Sequence, residues 1–373
     1  MPEIPSSPDQ SFSPEMKRDW LRLARTPRIG PVTFFQLLKR FGSAADALRA
    51  LPTLSPASAD IVPMSQAEAD MELQSVAEYG AEIICAGETR FPAMLKWLSP
   101  PPPLLTFKGN WQLAQGKCVA LVGSRQASAA GRKLARQMTA DLSAMGYVCV
   151  SGLARGIDGE VHAASLDGGT IAVIAGGIDH IYPQQHGHLY QAIAEQGLIL
   201  SENPIGYRGH ARDFPRRNRL ITGLCAGVVI VEAAERSGSL ISARTAAEQG
   251  REVMAVPGSP LDLRAAGTNR LIREGATLVR TAQDVDEALS RLTGKELDMP
   301  EPPQYEADPL SAPISPEQRR TVQAVLSHTP VTLDDIARTT HLSAARCAAI
   351  LVELELEGIA LTLPGGLACL NTA

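Results

Sequence analysis

The chain has 373 residues and a formal net charge of −5 at pH 7; 45% of the residues are apolar and 4% are aromatic. This length predicts two or three domains, with enough apolar residues for packed cores. The low aromatic content argues against an RNA-recognition sheet or a groove that stacks bases on several rings, and the negative charge means that any nucleic-acid surface must be a local basic cluster.

The first 15 residues are acidic, rich in proline and serine and without an apolar stretch, so we expect no signal peptide. No apolar run in the sequence is long enough to cross a bilayer. The six cysteines form no C-x-x-C pair, which disfavours a zinc ribbon, and most lie in apolar runs typical of free thiols in a reducing compartment. These observations predict a cytoplasmic protein without membrane partners.

Residues 14–80 form the first predicted domain. Apolar residues recur there at helical spacing on both sides of a tight turn, Ile29-Gly30-Pro31. Two helices around such a turn predict a helical (SAM/helix-hairpin-helix-like) domain, and the N–H groups of such a turn can bind a DNA phosphate. A helical packing module without a ligand explains the pattern equally well, so both interpretations stay open.

Residues 81–293 alternate short apolar runs with helical patterns, which is typical of a parallel sheet flanked by helices. The runs are apolar throughout, as expected of strands that are buried on both faces. The predicted strands are Val119–Val122, Tyr147–Ser151, Thr170–Ala175, Leu198–Ser201, Gly227–Val231, Glu252–Val256 and Thr277–Val279. We therefore expect an α/β domain with an extended Rossmann-like parallel sheet, and one further edge strand from residues 82–110.

The C-terminal part of the chain predicts a linker and a winged helix. Residues 294–315 are acidic and rich in proline, as linkers are, whereas residues 316–373 have the pattern of three helices and a two-strand wing. Gly358 would end the last helix and Pro364-Gly365-Gly366 would turn the wing. Residues 314–373 have a net charge of −2. Because helices that read the major groove need basic anchors, we expect this domain to contact protein or to be a weak accessory module.

The loops that follow the predicted strands are rich in glycine, serine and arginine. They include Gly123-Ser124-Arg125, the stretch from Gly152 to Gly156, and the stretch from Arg236 to Ser239. In such sheets ligands bind at the carboxyl ends of the strands, and small residues at helix starts let backbone N–H groups approach an anion. A single loop of this kind is more often an ordinary turn. Six in succession, three of them with arginine, predict that the carboxyl ends of the strands bind phosphate.

An arginine-rich segment follows the fourth of these strands. Five arginines and His210 lie between residues 208 and 219, against one acid, Asp213. Such a run is usually a solvated surface loop. Here Phe214 and Asn218 are interleaved with the arginines, and an aromatic ring beside guanidinium groups can stack a base while its phosphates are bound. The segment therefore predicts nucleic-acid contact.

Several sequence signals of enzymes and cofactor sites are missing. No G-x-G-x-x-G follows the first strand and no G-x-x-x-x-G-K-[ST] occurs, so we expect no dinucleotide cofactor and no Walker-type ATP site. His186 and His188 have no nearby carboxylate, so we expect no metal. Asp158 and Glu160 are interpreted as helix-capping residues, and no serine has an assigned base. The sequence thus predicts no catalytic residue and a protein that is not an enzyme.

The strand-end motifs together resemble one family. In chain order they are VALVGSRQAS, VSGLARGIDGEVHAASL, IAVIAGGIDHIYP, DFPRRNRLITGL, VEAAERSGSLISARTAAEQGREVMAVPGS and GTNRLIREGA. This set is similar to that of the DNA-processing protein A (DprA/Smf) family. The resemblance implies a homodimer that binds single-stranded DNA and assists loading of the RecA recombinase onto it during DNA uptake and natural transformation.

Motif positions and strand-end chemistry together give the candidate residues. The candidate DNA-binding residues are Gly123, Ser124, Arg125, Gly152, Arg155, Gly156, Phe214, Arg216, Arg217, Asn218, Arg219 and Ser239. The apolar set Leu271, Ile272 and Leu278 is the candidate dimer interface.

Two other interpretations stay open at this point. One is a nucleotide-binding hydrolase of phosphoribohydrolase-like type on a related Rossmann fold, although the acidic catalytic pattern that those enzymes have around a PGGxGT motif is absent and the corresponding stretch reads AERSGSLISA. The other is a ligand-sensing transcription factor with the winged helix as reader, which the acidic recognition helix disfavours.

Overall fold

The computed structural model describes residues 11–54, 61–293, 314–363 and 365–371. The predicted linker, residues 294–315, lies outside the described residues except for its last two positions, and so does Pro364 of the predicted wing turn. Among the residues described, no helix is long and apolar enough to cross a membrane.

The described residues of the N-terminal domain form four α-helices. They are α1 (Pro14–Arg25), α2 (Pro31–Phe41), α3 (Ala44–Ala50) and α4 (Gln66–Glu78). Ser13 caps α1 through a hydrogen bond to the Met16 N–H, and Gly42 ends α2 in the left-handed conformation that glycine adopts at low cost. The predicted hairpin is confirmed: α1 and α2 flank the Ile29-Gly30-Pro31 turn, and Phe34 and Leu37 are buried beside it.

A nine-stranded sheet forms the centre of the molecule. Its strands are β1 (Glu82–Cys85), β2 (Leu104–Gly109), β3 (Cys118–Val122), β4 (Val148–Ser151), β5 (Thr170–Val173), β6 (Leu198–Ser201), β7 (Gly227–Ile230), β8 (Glu252–Ala255) and β9 (Thr277–Leu278). Their order across the sheet is β1-β2-β6-β5-β4-β3-β7-β8-β9. The seven strands β3 to β9 are parallel to one another. All seven predicted strands are present, and residues 82–109 contribute the expected edge strand, β1, together with a second antiparallel strand, β2, that was not predicted.

Helices cover both faces of the sheet. They are α5 (Ala93–Lys96), α6 (Ala129–Ala144), α7 (Ile157–Ala164), α8 (Gly187–Gln196), α9 (Asp213–Gly223), α10 (Ser239–Glu248), α11 (Ala266–Arg273) and α12 (Ala282–Thr293). Residues of α9 and α10 pack with Val122 and Ile230, whereas α6, α7 and α12 pack with Leu121 on the opposite face. Alternate residues of β3 thus enter different cores, which explains why the strand is apolar throughout.

The sheet has a topological switch point between β3 and β7. From β3 the chain winds outward through β4 and β5 to β6, then returns to β7 on the other side of β3. The Ser124 N–H donates to the Glu232 carbonyl at 2.7 Å, which joins the two loops that leave these strands. In open α/β sheets the crevice at such a point is the place where ligands bind.

The C-terminal domain is a winged helix, as predicted. It consists of α13 (Pro316–Val325), β10 (Val331–Thr332), α14 (Leu333–Thr340), α15 (Ala344–Leu356), β11 (Ala360–Leu363) and β12 (Leu367–Leu370). Gly358 follows α15 with a φ of 74°, and β12 pairs with both β10 and β11. The helix in the recognition position is α15.

Helix α15 packs against α2 of the N-terminal domain. Val352 and Leu356 are buried in one apolar cluster with Phe34 and Leu37 of α2. Thr33 Oγ1 donates to Glu355 Oε2 at 2.7 Å. The C-terminal half of the acidic helix therefore contacts protein within the same chain.

Candidate nucleic-acid interface

Phe214 is the centre of a cationic and aromatic cluster at the carboxyl end of the sheet. It lies in the first turn of α9, and its ring centroid is 5.3 Å from the Arg125 guanidinium carbon and 5.9 Å from that of Arg217. The Tyr182 ring meets it edge to face at 5.4 Å. The structure thus brings together three residues that the sequence assigned to DNA binding, from the loop after β3 and from α9.

Tyr182 was missed by the sequence-based assignment. It follows β5 in a loop, 48% of its surface is exposed, and its ring is in contact with Phe214. An aromatic ring at a strand end of a chain with so few aromatics was the signal available. Arg125, Tyr182 and Phe214 form what we call the Phe214 cluster.

Arg217 is buried, with 6% of its surface exposed. Its Nη1 donates to the Gly152 carbonyl at 2.7 Å and to the Val173 carbonyl. Burial lowers the pKa of Arg217 to about 10, so the guanidinium remains charged at neutral pH. The expectation that Arg217 contacts phosphate directly is therefore replaced by a positioning role: it joins α9 to the loop after β4.

Arg125, Arg155 and Arg216 are the exposed arginines of the predicted set. Within the described part of the chain, none of their side chains forms an ion pair, in contrast to Arg219, which is paired with Glu202. Asn218 accepts a hydrogen bond from Arg217 Nε at 3.3 Å. Three cations thus remain available for an anionic ligand.

The glycine and serine turns have a different role from the one expected. The N–H groups of Ser124 and Gly152 already donate to Glu232 and Asp158, and buried Ser239 is hydrogen-bonded to Ser237 Oγ at 2.7 Å. These three groups cannot bind phosphate without losing protein partners, whereas DNA binding by Gly123 and Gly156 stays a prediction.

Close packing explains the glycines. A Cβ on Gly123 would lie 2.6 Å from the Ile157 side chain, and one on Gly152 would lie 2.8 Å from the Arg217 guanidinium. Gly156 has a φ of 79°, and a Cβ there would lie 2.2 Å from the Ser124 carbonyl oxygen. These glycines allow the strand-end loops to pack against one another beneath the arginines.

A basic cavity of about 300 Å³ adjoins the loop after β4. Arg125 and Arg155 line it together with Arg132, and Gln185 and His186 complete its wall. Its one carboxylate, Glu160, is within 3.2 Å of Arg132 and 2.9 Å of Arg136, so the net charge of the wall is positive. The cavity extends the positive surface beyond the Phe214 cluster.

The N-terminal turn reaches the same end of the sheet. Ile29, Gly30 and Pro31 line a cavity of about 180 Å³ together with Asn203 and Arg216. The helical hairpin is therefore adjacent to one of the three exposed arginines.

The predicted dimer residues lie at the β9 edge of the sheet. Leu278 of β9 is 44% exposed, whereas Leu271 and Ile272 of α11 are half-buried. Leu261 and Leu263, in the connection between β8 and α11, are 93% and 81% exposed and were not predicted. Among the described strands β9 pairs with β8 alone, so its outer edge is open.

The residues described contain no group of three or more histidine, cysteine or acidic side chains placed to hold a metal ion. His186 lies in the wall of the basic cavity, where its Nδ1 is 3.0 Å from the Leu153 carbonyl oxygen.

The fold and the site define a class: an extended Rossmann-type protein with a cationic and aromatic cluster at its switch point, a helical N-terminal domain and a winged helix. Family models match all three parts, as DNA recombination-mediator protein A over residues 82–290, DprA-like N-terminal HHH domain over residues 14–75 and DprA winged helix domain over residues 306–366. The chain belongs to the DNA processing protein A (DprA/Smf) family.

Individual relatives agree with this assignment. DNA processing protein DprA of Bacillus subtilis is 43% identical over 220 residues, 58% of this chain and 74% of that protein. Protein Smf of Escherichia coli is 37% identical over 295 residues, 78% of each chain.

Two solved structures are similar. DprA of Streptococcus pneumoniae has a TM-score of 0.58 and 35% identity, covering 69% of this chain and 86% of that chain. A Helicobacter pylori DNA processing protein A structure, which concerns the single-stranded DNA binding mode of that protein, has a TM-score of 0.52 and 28% identity, covering 57% of this chain and 96% of that chain.

Proposed function

We propose that this protein binds single-stranded DNA independently of sequence, in the cytoplasm, during DNA uptake and natural transformation. The observation that carries the proposal is the Phe214 cluster, which places an exposed guanidinium 5.3 Å from an aromatic ring at the switch point of the sheet. The single-stranded DNA binding mode described for the Helicobacter pylori relative supports it.

The side chains divide into two groups in this proposal. Arg125, Arg155 and Arg216 are exposed and bind phosphates, while Phe214 and Tyr182 stack against bases. Arg217, Arg219 and Asn218 are engaged within the protein and hold this surface in place. Backbone phosphates and base faces are common to every sequence, so binding should depend on salt and not on sequence.

The double variant Arg125→Ala/Arg155→Ala tests the proposal. For single strands the slope of log affinity against log salt changes by about 0.7 per phosphate contact. Loss of two contacts should therefore make the slope shallower by about 1.4 and weaken binding to every oligonucleotide. Fluorescence anisotropy at several salt concentrations measures both quantities. Arg244→Ala/Arg338→Ala removes two exposed arginine charges on α10 and α14, away from the proposed site, and should leave the slope and the affinity unchanged. Wild-type slope and affinity in the first variant would contradict the proposal.

The protein is further proposed to be a homodimer that contacts through the β9 edge. The open edge of β9 carries the exposed side chain of Leu278, and the connection that precedes α11 exposes Leu261 and Leu263. Association would cover such an open edge and exposed apolar side chains. Leu278→Arg should therefore shift sedimentation from dimer to monomer. Leu361→Arg, at a leucine of similar exposure on β11, is the matched control. A wild-type chain that sediments as a monomer would refute the dimer but not DNA binding.

The proposed protein partner is the RecA recombinase, which the family resemblance implies. The DNA-bound protein would assist loading of RecA onto the strand that it holds. The proposal assigns no catalytic step, so incubation with nucleoside monophosphates should release no free base; release of base would favour the phosphoribohydrolase-like alternative.

A further inference from the structure

We propose that His162, a buried histidine of α7, is a positioning residue for DNA binding that acts through Leu153 on Arg155. The inference rests on the proposed function and deepens it, because it names the part of the protein that holds one phosphate-binding arginine in place.

The hydrogen bonds of His162 define its tautomer. The residue is fully buried; its Nδ1 is 2.8 Å from Thr170 Oγ1, and its Nε2 accepts from the Leu153 N–H at 3.2 Å. The Thr170 hydroxyl donates to the Cys149 carbonyl, so it accepts from His162 Nδ1–H. A neutral ring protonated at Nδ1 satisfies all of these contacts.

The residue that His162 holds has an unusual backbone. Leu153 has a φ of 56°, in the left-handed region, which is unfavourable for a non-glycine residue. Its carbonyl is 3.0 Å from His186 Nδ1, and its side chain is fully buried in a cluster with Ile178 and Tyr190. Leu153 is thus held through its N–H, its carbonyl and its side chain.

Side chains also bind the backbone on either side of Leu153. Asp158 Oδ2 accepts from the N–H groups of Gly152 and Ala154 at 3.1 and 3.3 Å, and Arg217 donates to the Gly152 carbonyl. Asp158 and His162 lie four residues apart on α7, so both point to the same side of the helix. One helix face therefore provides acceptors for three consecutive N–H groups.

Arg155 is the exposed end of this arrangement. It lies between two residues with positive φ, Leu153 and Gly156, and Gly156 packs on the Ser124 carbonyl beside Arg125. The side chain of Arg155 forms no ion pair among the described residues, so the backbone beneath it positions the guanidinium without help from a carboxylate. A loop ordered before DNA arrives loses less conformational entropy on binding.

The substitutions His162→Leu and His162→Gln separate hydrogen bonding from packing. Leucine fills the buried site but gives Leu153 no acceptor, so we expect about tenfold weaker binding to single-stranded DNA and a salt slope shallower by about 0.7, the value for one phosphate contact. Glutamine retains an acceptor for the Leu153 N–H and should restore most of the affinity and most of the salt slope. A general loss of stability would lower the folded fraction without changing the salt slope.

A double-mutant cycle tests the path through Arg155. In an Arg155→Ala background His162→Leu should have no further effect, whereas in an Arg216→Ala background it should have its full effect. Thr170→Val, which removes the partner of Nδ1, provides a second perturbation of the ring and should show the same dependence on Arg155 if His162→Leu fails to fold.

The outcomes also separate this inference from the proposed function. Equal losses in both arginine backgrounds, or wild-type binding by folded His162→Leu, would overturn the role of His162 while leaving DNA binding intact. A wild-type protein without salt-dependent binding to single strands would overturn the proposed function first.

Discussion

Individual residues differ in how far sequence reasoning could define their roles. Arg125, Arg155 and Arg216 are exposed as phosphate contacts require, but Arg217, in the same run of arginines, is buried beneath the loop after β4. Spacing alone could not separate Arg216 from Arg217, because both lie in the first turns of α9 and only the neighbouring strand ends determine which one is covered.

The substitution Arg217→Met should destabilise the protein, because it leaves the Gly152 and Val173 carbonyls without their donor and removes a buried charge near Asp158. Breaking such a buried polar arrangement costs about 3 kcal/mol, and in a domain of 150–250 residues each kcal/mol lowers the Tm by about 2–4 °C. Thermal unfolding measures the change. Arg216→Met, at the exposed neighbour, should leave Tm nearly unchanged; equal effects would argue against the positioning role of Arg217.

The pH dependence of stability should contain a contribution from His162. Burial lowers the pKa of His162 to about 3, below its ordinary value of 6.5, so the unfolded chain takes up the proton first as the pH falls. The stabilising contribution is complete above pH 6.5 and decreases as the pH falls toward 3. We expect the Tm difference between wild type and His162→Gln to shrink from pH 7 to pH 4; a constant difference would contradict the assignment.

At the scale of elements, the sequence predicted the parallel strands well and the sheet edge poorly. Strands such as β3 and β7 are buried on both faces, and this leaves a continuous apolar run that is visible in the sequence. β1 and β2 lie on either side of a proline-rich connection, and β2 joins the sheet by antiparallel pairing with β6, which is far away in the chain. Non-local pairing of this kind has no local signature.

The loop after β4 depends on a glycine that packs closely against its neighbour. Gly156→Ala would place a Cβ 2.2 Å from the Ser124 carbonyl oxygen and should displace the loop, lowering both Tm and affinity for single-stranded DNA. Gly146→Ala is a control at another glycine with positive φ, 84°, where an alanine costs about 1 kcal/mol but nothing lies within 4 Å of the added atom. Equal effects of the two substitutions on DNA affinity would show that backbone strain, not contact with Ser124, matters.

At the scale of the whole molecule, the winged helix is placed by its contact with the N-terminal domain. Arg28 Nη1 donates to the Leu356 carbonyl at 3.0 Å, and Arg40 is 3.5 Å from Glu353. Arg28 directly precedes the hairpin turn that lines the cavity at Arg216. The contact therefore connects the C-terminal domain with the region of the proposed DNA site through α2.

Val352→Asp should release the winged helix from α2. Val352 belongs to the apolar cluster of the N-terminal helices, whereas Leu351 and Leu354 form the core of the winged helix itself, so the domain should stay folded. We expect a larger radius of gyration in X-ray scattering and no gain of duplex DNA binding, because the acidic residues of α15 remain. Ile241→Asp is the control, at an exposed residue of α10, and should leave the radius of gyration unchanged. Tight binding of duplex DNA by Val352→Asp would instead show that α15 is a DNA-recognition helix that α2 covers in the wild type.

The sequence by itself determined the class of the fold, the order of the three domains and the family, because apolar periodicity, strand-end motifs and composition are local properties of the chain. The tertiary structure alone decided which arginines are exposed, that Tyr182 lies against Phe214, and that α15 packs on α2. Those features arise from contacts between segments far apart in the chain, and such contacts depend on how the elements pack rather than on any local pattern.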